Sequence, residues 1–177
     1  MTFAHVRVGL AKPYYKQNNH CFLMCNGVFL FQERNTMHLY TIGFTGKSAR
    51  EFFTILKHSD VRKVIDVRLW PNTQLSGFSK SEDLAFFLKV LCHIDYENRK
   101  EFAPTATLLR DYKDGRVTWD DYVVQYDSIC HARHFTLTPD MDNCCFLCAE
   151  PTPEKCHRRL LVEYLAKQGK NVEISHL

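Results

Sequence analysis

Glycine and proline are scarce: seven Gly and six Pro in 177 residues are too few for a linker-rich chain of several domains. No segment repeats at the period of roughly 20 to 50 residues that marks solenoids and propellers. Charge of one sign is equally thin. Lys and Arg total 23 against 20 Asp and Glu, a net charge of +3 with no long basic run, so charge alone names no nucleic-acid partner. Long apolar runs are missing too. The one continuous stretch, Cys21 to Phe31, is 11 residues long and interrupted by Asn26 and Gly27, whereas a membrane-spanning helix needs about 20. It runs straight into Gln32-Glu33-Arg34-Asn35 without the small-residue cleavage site of a signal peptide. No membrane partner and no secretion are expected.

What is present is a core. A composition of 45% hydrophobic, 13% aromatic and 24% charged residues suits one globular domain and excludes a disordered tail, a collagen and a coiled coil. The eight cysteines do not form a secreted disulfide framework: Cys144 and Cys145 are adjacent, and Cys92, Cys130, Cys148 and Cys156 sit in apolar patterns. The chain reads as cytoplasmic.

Residues 1–36 show neither helical period nor strand alternation, and regular signals begin after Met37. They read as an N-terminal extension, with three alternatives: read-through from an upstream start codon, a hairpin padding a sheet edge, or a functional arm. His20-Cys21 with Cys25 has the look of a metal half-site, but a lone Cys-x3-Cys beside Phe and Leu reads better as apolar filler. From 37 to 177 a single domain is expected. Leu39 to Gly43 is a strand, followed by a helix that Ser48 and Glu51 open as a capping box. Lys63 to Arg68 is a short β-branched strand, as in a parallel sheet buried on both faces, broken only by Asp66. A helix carrying Leu84, Phe87, Leu88 and Leu91 and a strand at Ile94 to Glu97 follow. Two helices, one opened by Pro104 and one starting at Thr118, form an insertion before the fourth strand, Cys144 to Cys148. Pro153 to Gln168 is the last helix and Asn171 to Ser175 the fifth strand. The fold class is therefore α/β, a mostly parallel sheet of about five strands with helices on both faces and a two-helix insertion before the fourth strand. Such sheets bind ligands beyond the carboxyl ends of their strands. Those ends carry Gly43 to Thr45, Asp66, Arg68, Tyr96, Cys148 to Glu150, and His176.

Thr41-Ile42-Gly43, Asp66-Val67-Arg68 with Pro71, Phe102-Ala103-Pro104-Thr105, the Leu108 to Tyr126 helix pair, and Cys148-Ala149-Glu150 with Cys156-His157-Arg158 resemble the bacterial and archaeal domain of unknown function 488, in particular its small stand-alone members. The likeness runs from about Met37 to the C-terminus, and the final Cys-His-Arg motif is its most specific part. The resemblance implies a compact α/β fold and a shared polar site, and leaves the biochemical role unsettled. Many relatives carry His-Ser after Thr-Ile-Gly where this chain has Phe44-Thr45, so any role of that His is absent or relocated here.

The segment from Cys148 to Arg159 carries the sharpest chemistry. Thr152 can cap and Pro153 open a helix whose free N–H groups form an anion site. On that helix Cys156, His157, Leu160, Leu161, Tyr164 and Leu165 form one stripe, so His157 points inward. It is either an acid or base, or a core residue bonded to a backbone carbonyl or to Asp66. Arg158 either holds a phosphate or carboxylate, or pairs with Glu150 or Asp66. Asp66, at a partly buried position, is a general base or hydroxyl acceptor, or else the partner of Arg68 or Arg158. Glu150 at the mouth is either solvated or repels phosphate. Cys148 ends a strand just before a helix and is a candidate nucleophile, although the nine residues separating it from Arg158 do not make a phosphatase or sulfurtransferase cradle. Cys145, Cys148, Cys156 and His157 offer a metal-ligand set, but alternation sends Cys145 and Cys148 to opposite faces, and core cysteines are the better reading. Trp70, Phe78, Tyr96, Trp119 and Tyr126 lie in loops or at element ends, where they either stack a base or fill the core.

The expected function is binding of an anionic ligand, a nucleotide or nucleic-acid phosphate, at this polar site. Asp66, His157 and Cys148 are the catalytic candidates and Arg68, Glu150, Arg158 and Tyr96 the ligand-binding ones. The alternatives are a non-catalytic module whose charged cluster is a structural ion-pair network, and a Cys148-dependent thiol enzyme. No cofactor and no metal are assigned.

Overall fold

The computed structural model describes residues 36–72 and 77–177 in full, and the backbone alone of His20–Cys25 and Val28–Glu33. The chain divides into two units, residues 1–35 and 36–177. In the first, β1 (His20–Cys25) and β2 (Val28–Glu33) pair as an antiparallel hairpin in which Cys25 faces Val28. The absence of alternation over 1–36 therefore does not mean absence of structure. Asn26-Gly27, the dipeptide that most favours a two-residue hairpin connection, stands between the strands in the sequence. Any metal role of His20, Cys21 and Cys25 concerns side chains outside the described residues.

The second unit is a five-stranded, all-parallel sheet of β3 (Met37–Gly43), β4 (Lys63–Asp66), β5 (Asp95–Asn98), β6 (Cys144–Cys148) and β7 (Val172–His176), in the spatial order β5-β4-β6-β3-β7. Every residue of β6 is buried, as a strand covered on both faces requires. One core layer joins α1 (Ala49–Lys57) and α2 (Ser81–Phe87) to the sheet through Phe52, Phe53, Leu56, Leu84 and Leu88, against Ile42, Val64, Cys145 and Leu147. The opposite layer joins α3 (Ala106–Lys113), α4 (Trp119–Ala132) and α5 (His157–Ala166) through Leu108, Tyr122, Tyr126, Leu161 and Leu165, against Leu39, Ile65, Phe146 and Cys148. The two layers follow from the connections. The chain steps from β3 over to β4 and on to β5, then reverses to fill the gap with β6 and ends at β7. A constant crossover hand places the helices of a reversed path on the other face.

Local chemistry sets most helix ends. Ser48 and Glu51 form the capping box of α1. Thr105 and Thr118 each accept from the backbone N–H three residues on, starting α3 and α4. The α2 helix runs on into a π-helical turn at Leu88–Cys92 and stops at His93, which is left-handed with φ 57°. This wider turn leaves Leu91 on the surface rather than on the core face with Leu84 and Leu88.

One boundary differs with consequence. The final helix begins at His157, with Cys156 extended at its N-cap, and not at Pro153. Residues 151–155 form turns instead. Cys156 N–H donates to the Pro153 carbonyl, and the Arg159 side chain reaches back to the Pro153 and Glu154 carbonyls. Those carbonyls are thus satisfied without helix. Thr152 is not the cap, and the anion site expected on it does not form there.

In the helical layer, the Tyr126 hydroxyl donates to the Phe102 carbonyl at 2.6 Å in a fully buried position. Replacing Tyr126 by Phe strands that carbonyl, and urea unfolding is expected to show a loss of about 1–3 kcal/mol. An unchanged midpoint would mean that the bond does not tie α4 to the segment before α3.

Candidate functional site

The connection leaving β4 runs toward β5 and the one leaving β6 runs toward β7, so the chain diverges between these neighbouring strands. A crevice outside the carboxyl ends is the expected result of such a divergence. A cleft lies there, lined by Arg68, Leu69, Trp70, Leu109, Tyr112, Lys113, Tyr122, residues 148–150 and residues 155–157.

One wall is an ion pair. Asp66, at the end of β4, is fully buried and not merely partly so. Its Oδ1 accepts from the Arg68 backbone N–H at 3.0 Å and from Nε at 2.8 Å, and its Oδ2 accepts from Arg68 Nη2 and, at 2.8 Å, from the Tyr96 hydroxyl. Arg68 Nη2 also donates to the Ser79 carbonyl, and the guanidinium lies over the Phe44 ring, 5.0 Å from its centre. Burial works against the charge of Arg68, but Asp66 outweighs it and the guanidinium pKa is raised. Burial and the Asp66 carboxylate likewise raise the Tyr96 phenol. One atom is left over. Arg68 Nη1 is buried and has no hydrogen-bond partner.

The floor is a sulfur and imidazole cluster. Cys148 closes β6, and the turns over 149–155 bring Cys156 and His157 back above it. Both sulfurs and a His157 ring nitrogen lie within 4.8 Å of one another, and all three residues are buried. Cys148 Sγ is 3.7 Å from His157 Nδ1, while Nε2 is 3.1 Å from the Val67 carbonyl. A carbonyl only accepts, so Nε2 carries the hydrogen and Nδ1 faces the sulfur. The Cys156 thiol, together with His157, holds the Cys148 thiol well below its usual range despite burial. Burial and the Cys148 sulfur push Cys156 well above it. Burial opposes the charge of His157, but the Cys148 sulfur and the Val67 carbonyl outweigh it and the ring is raised.

The remaining expected residues are dispersed. Glu150 is exposed on the rim, while its carbonyl accepts from Arg158 Nη1 at 2.6 Å. Arg158 is itself buried behind that carbonyl, close to Gly43, where an added Cβ would overlap the Glu150 oxygen. It does not line the cleft and makes no bond to Asp66. The structure therefore unites Asp66, Arg68 and Tyr96 in one group and Cys148 and His157 in another, with Arg158 apart from both. Of the expected aromatics only Trp70 lines the cleft.

Sequence reasoning missed Lys113 and Lys155, which bring two more cations to the cleft. A Lys in the last turn of a helix reads as a complement to the helix dipole. Nothing in the chain around Lys113 marks it as facing a site contributed by other strands.

The comparison with known proteins adds the lineage. The model of the domain of unknown function DUF488 matches residues 48–165, well over half of the chain. The protein belongs to the DUF488 family. The matched span contains Asp66, Arg68, Cys148, Cys156, His157 and Arg158, so both groups of the site lie inside the DUF488 region. No curated protein and no solved structure matches the chain. Among the described residues of this DUF488 protein, no helix is long and apolar enough to cross a membrane.

Removing one member of a buried ion pair leaves the other uncompensated. Asp66→Asn is expected to lower the unfolding free energy by about 3–5 kcal/mol in urea titrations followed by circular dichroism. A change below about 1 kcal/mol, the range of exposed pairs, would show that the Asp66–Arg68 pair is solvated in solution.

Proposed function

We propose that the cleft between the carboxyl ends of β4 and β6 binds a small anionic ligand carrying a flat ring, of which a nucleoside phosphate is the chemical class. The observation that carries this reading is Arg68 Nη1, a buried donor without an acceptor on a side chain that lines the cleft. An unmade bond on a buried guanidinium is costly, and an anionic oxygen would make it. The rest of the guanidinium is committed to Asp66, Ser79 and Phe44, so it is already oriented and little ordering entropy opposes binding.

Charge favours the same ligand. Lys113 and Lys155 stand on the cleft with Arg68, against the single carboxylate of Glu150. Trp70, Tyr112 and Tyr122 supply aromatic surface for a base or other planar ring. In this reading Asp66 and Tyr96 do not touch the ligand. Asp66 already accepts from four donors and holds Arg68 in place, and Tyr96 holds Asp66. Arg158 supports the rim by fixing the Glu150 carbonyl.

Isothermal titration of the full chain with inorganic phosphate, pyrophosphate and AMP tests the reading. AMP is expected to bind, to weaken with added salt, and to weaken roughly tenfold when Lys113 and Lys155 are both replaced by Ala. Both lysines are exposed, so the fold should survive their removal. The reading fails if none of the three anions binds at millimolar concentration, or if the double variant binds as tightly as the parent.

A further inference from the structure

We infer that Cys148, Cys156 and His157 form a zinc site with one coordination position open to the cleft. The inference goes beyond the anion reading and stands without it.

Successive residues of β6 face opposite sides. Cys144, Phe146 and Cys148 pack with the layer of α3, α4 and α5, whereas Cys145 packs in the other layer with Tyr40 and Ile42. Parity thus removes Cys145 from the set, as the sequence suggested. The late start of α5 then does what the sequence did not suggest. With Cys156 extended at the N-cap and His157 as the first helical residue, both side chains return to the end of β6, and three ligand atoms converge within 4.8 Å.

One of their separations already matches a metal site. Zinc takes sulfur at about 2.3 Å and imidazole nitrogen at about 2.0–2.1 Å, so in a tetrahedron neighbouring ligand atoms stand roughly 3.5–3.8 Å apart. Cys148 Sγ and His157 Nδ1 are already 3.7 Å apart. A metal-bound imidazole almost always donates its other N–H to an acceptor that fixes the tautomer and the ring plane. His157 Nε2 does so with the Val67 carbonyl, which leaves Nδ1 facing the Cys148 sulfur.

The donor set selects the ion. Two thiolates and an imidazole are borderline-soft ligands that suit zinc, and oxygen-seeking magnesium or calcium is a poor match. Binding replaces the proton of each thiol that carries one, releases it to solvent, and changes no oxidation state. The positive end of α5 lies at Cys156 and compensates part of the thiolate charge. All three residues also line the cleft. Structural zinc sites are closed by four protein ligands, while three protein ligands beside a cavity leave a position for water or a ligand atom.

The test uses the full chain purified without chelators, with zinc measured by inductively coupled plasma mass spectrometry and cobalt titrated into the metal-free protein. About one zinc per chain is expected, together with a thiolate-to-cobalt charge-transfer band in the near ultraviolet. Cys148→Ser, Cys156→Ser and His157→Gln should each weaken zinc at least tenfold in competition with a chromophoric chelator, since even the loss of an outer-shell partner costs about that much. Cys145→Ser, and the double variant Cys21→Ser with Cys25→Ser, should bind as the parent does. Circular dichroism of each variant separates lost ligation from lost fold, and His157→Gln also leaves both thiols available for counting. The inference is overturned if the parent holds less than about a tenth of an equivalent of zinc and gives no cobalt band. It is overturned equally if the metal follows Cys145 or the Cys21 and Cys25 pair, or if Cys148 and Cys156 are isolated as a disulfide that binds nothing. Because no anion is present, these outcomes do not depend on whether AMP binds.

Discussion

Asp66 sits where four chain segments have to meet, and its carboxylate is what joins them. Through Arg68 it reaches the Ser79 carbonyl before α2 and the Phe44 ring beyond β3, through Tyr96 it reaches β5, and its own backbone continues β4. A carboxylate with no solvent exposure is tolerable only with this many donors, because each unmatched lone pair would cost desolvation energy with no return. The pair therefore constrains everything around it. Arg68, a residue that lines the cleft, is thereby held with its Nη1 group unpartnered.

The fold was largely legible because it follows from signals that are local or periodic. The apolar runs of β3, β4 and β6, the Ser48–Glu51 box and the threonines ahead of α3 and α4 each report on a few neighbouring residues. An all-parallel sheet with helices on both faces follows from their alternation. Strand order was not legible. That β6 enters between β4 and β3 depends on which edges are free when the chain returns, and no residue of β6 encodes it.

The site was legible in part, and the division is instructive. Asp66, Arg68, Cys148 and His157 were identifiable because a polar residue at the end of an apolar strand, or inside an apolar helical stripe, stands out against the pattern. Arg158 stood out equally and proved to serve the rim through a backbone carbonyl, a partner that sequence never displays. The Val67 carbonyl that orients His157 is invisible for the same reason. Pro153 suggested an early helix start, yet two side-chain bonds from Arg159 favour turns. Such bonds form only once α5 is already in place.

Length tolerance in surface connections is normally high, since a loop can grow without disturbing the elements it joins. Residues 149–155 are an exception built into this molecule. They fix how far Cys156 stands above Cys148 and on which side His157 emerges. Deleting a single residue would leave strand and helix intact but shorten the span that carries Cys156 and His157 back over the end of β6. Homologous chains that share the sulfur and imidazole cluster should accordingly hold this spacing fixed while their other connections drift in length.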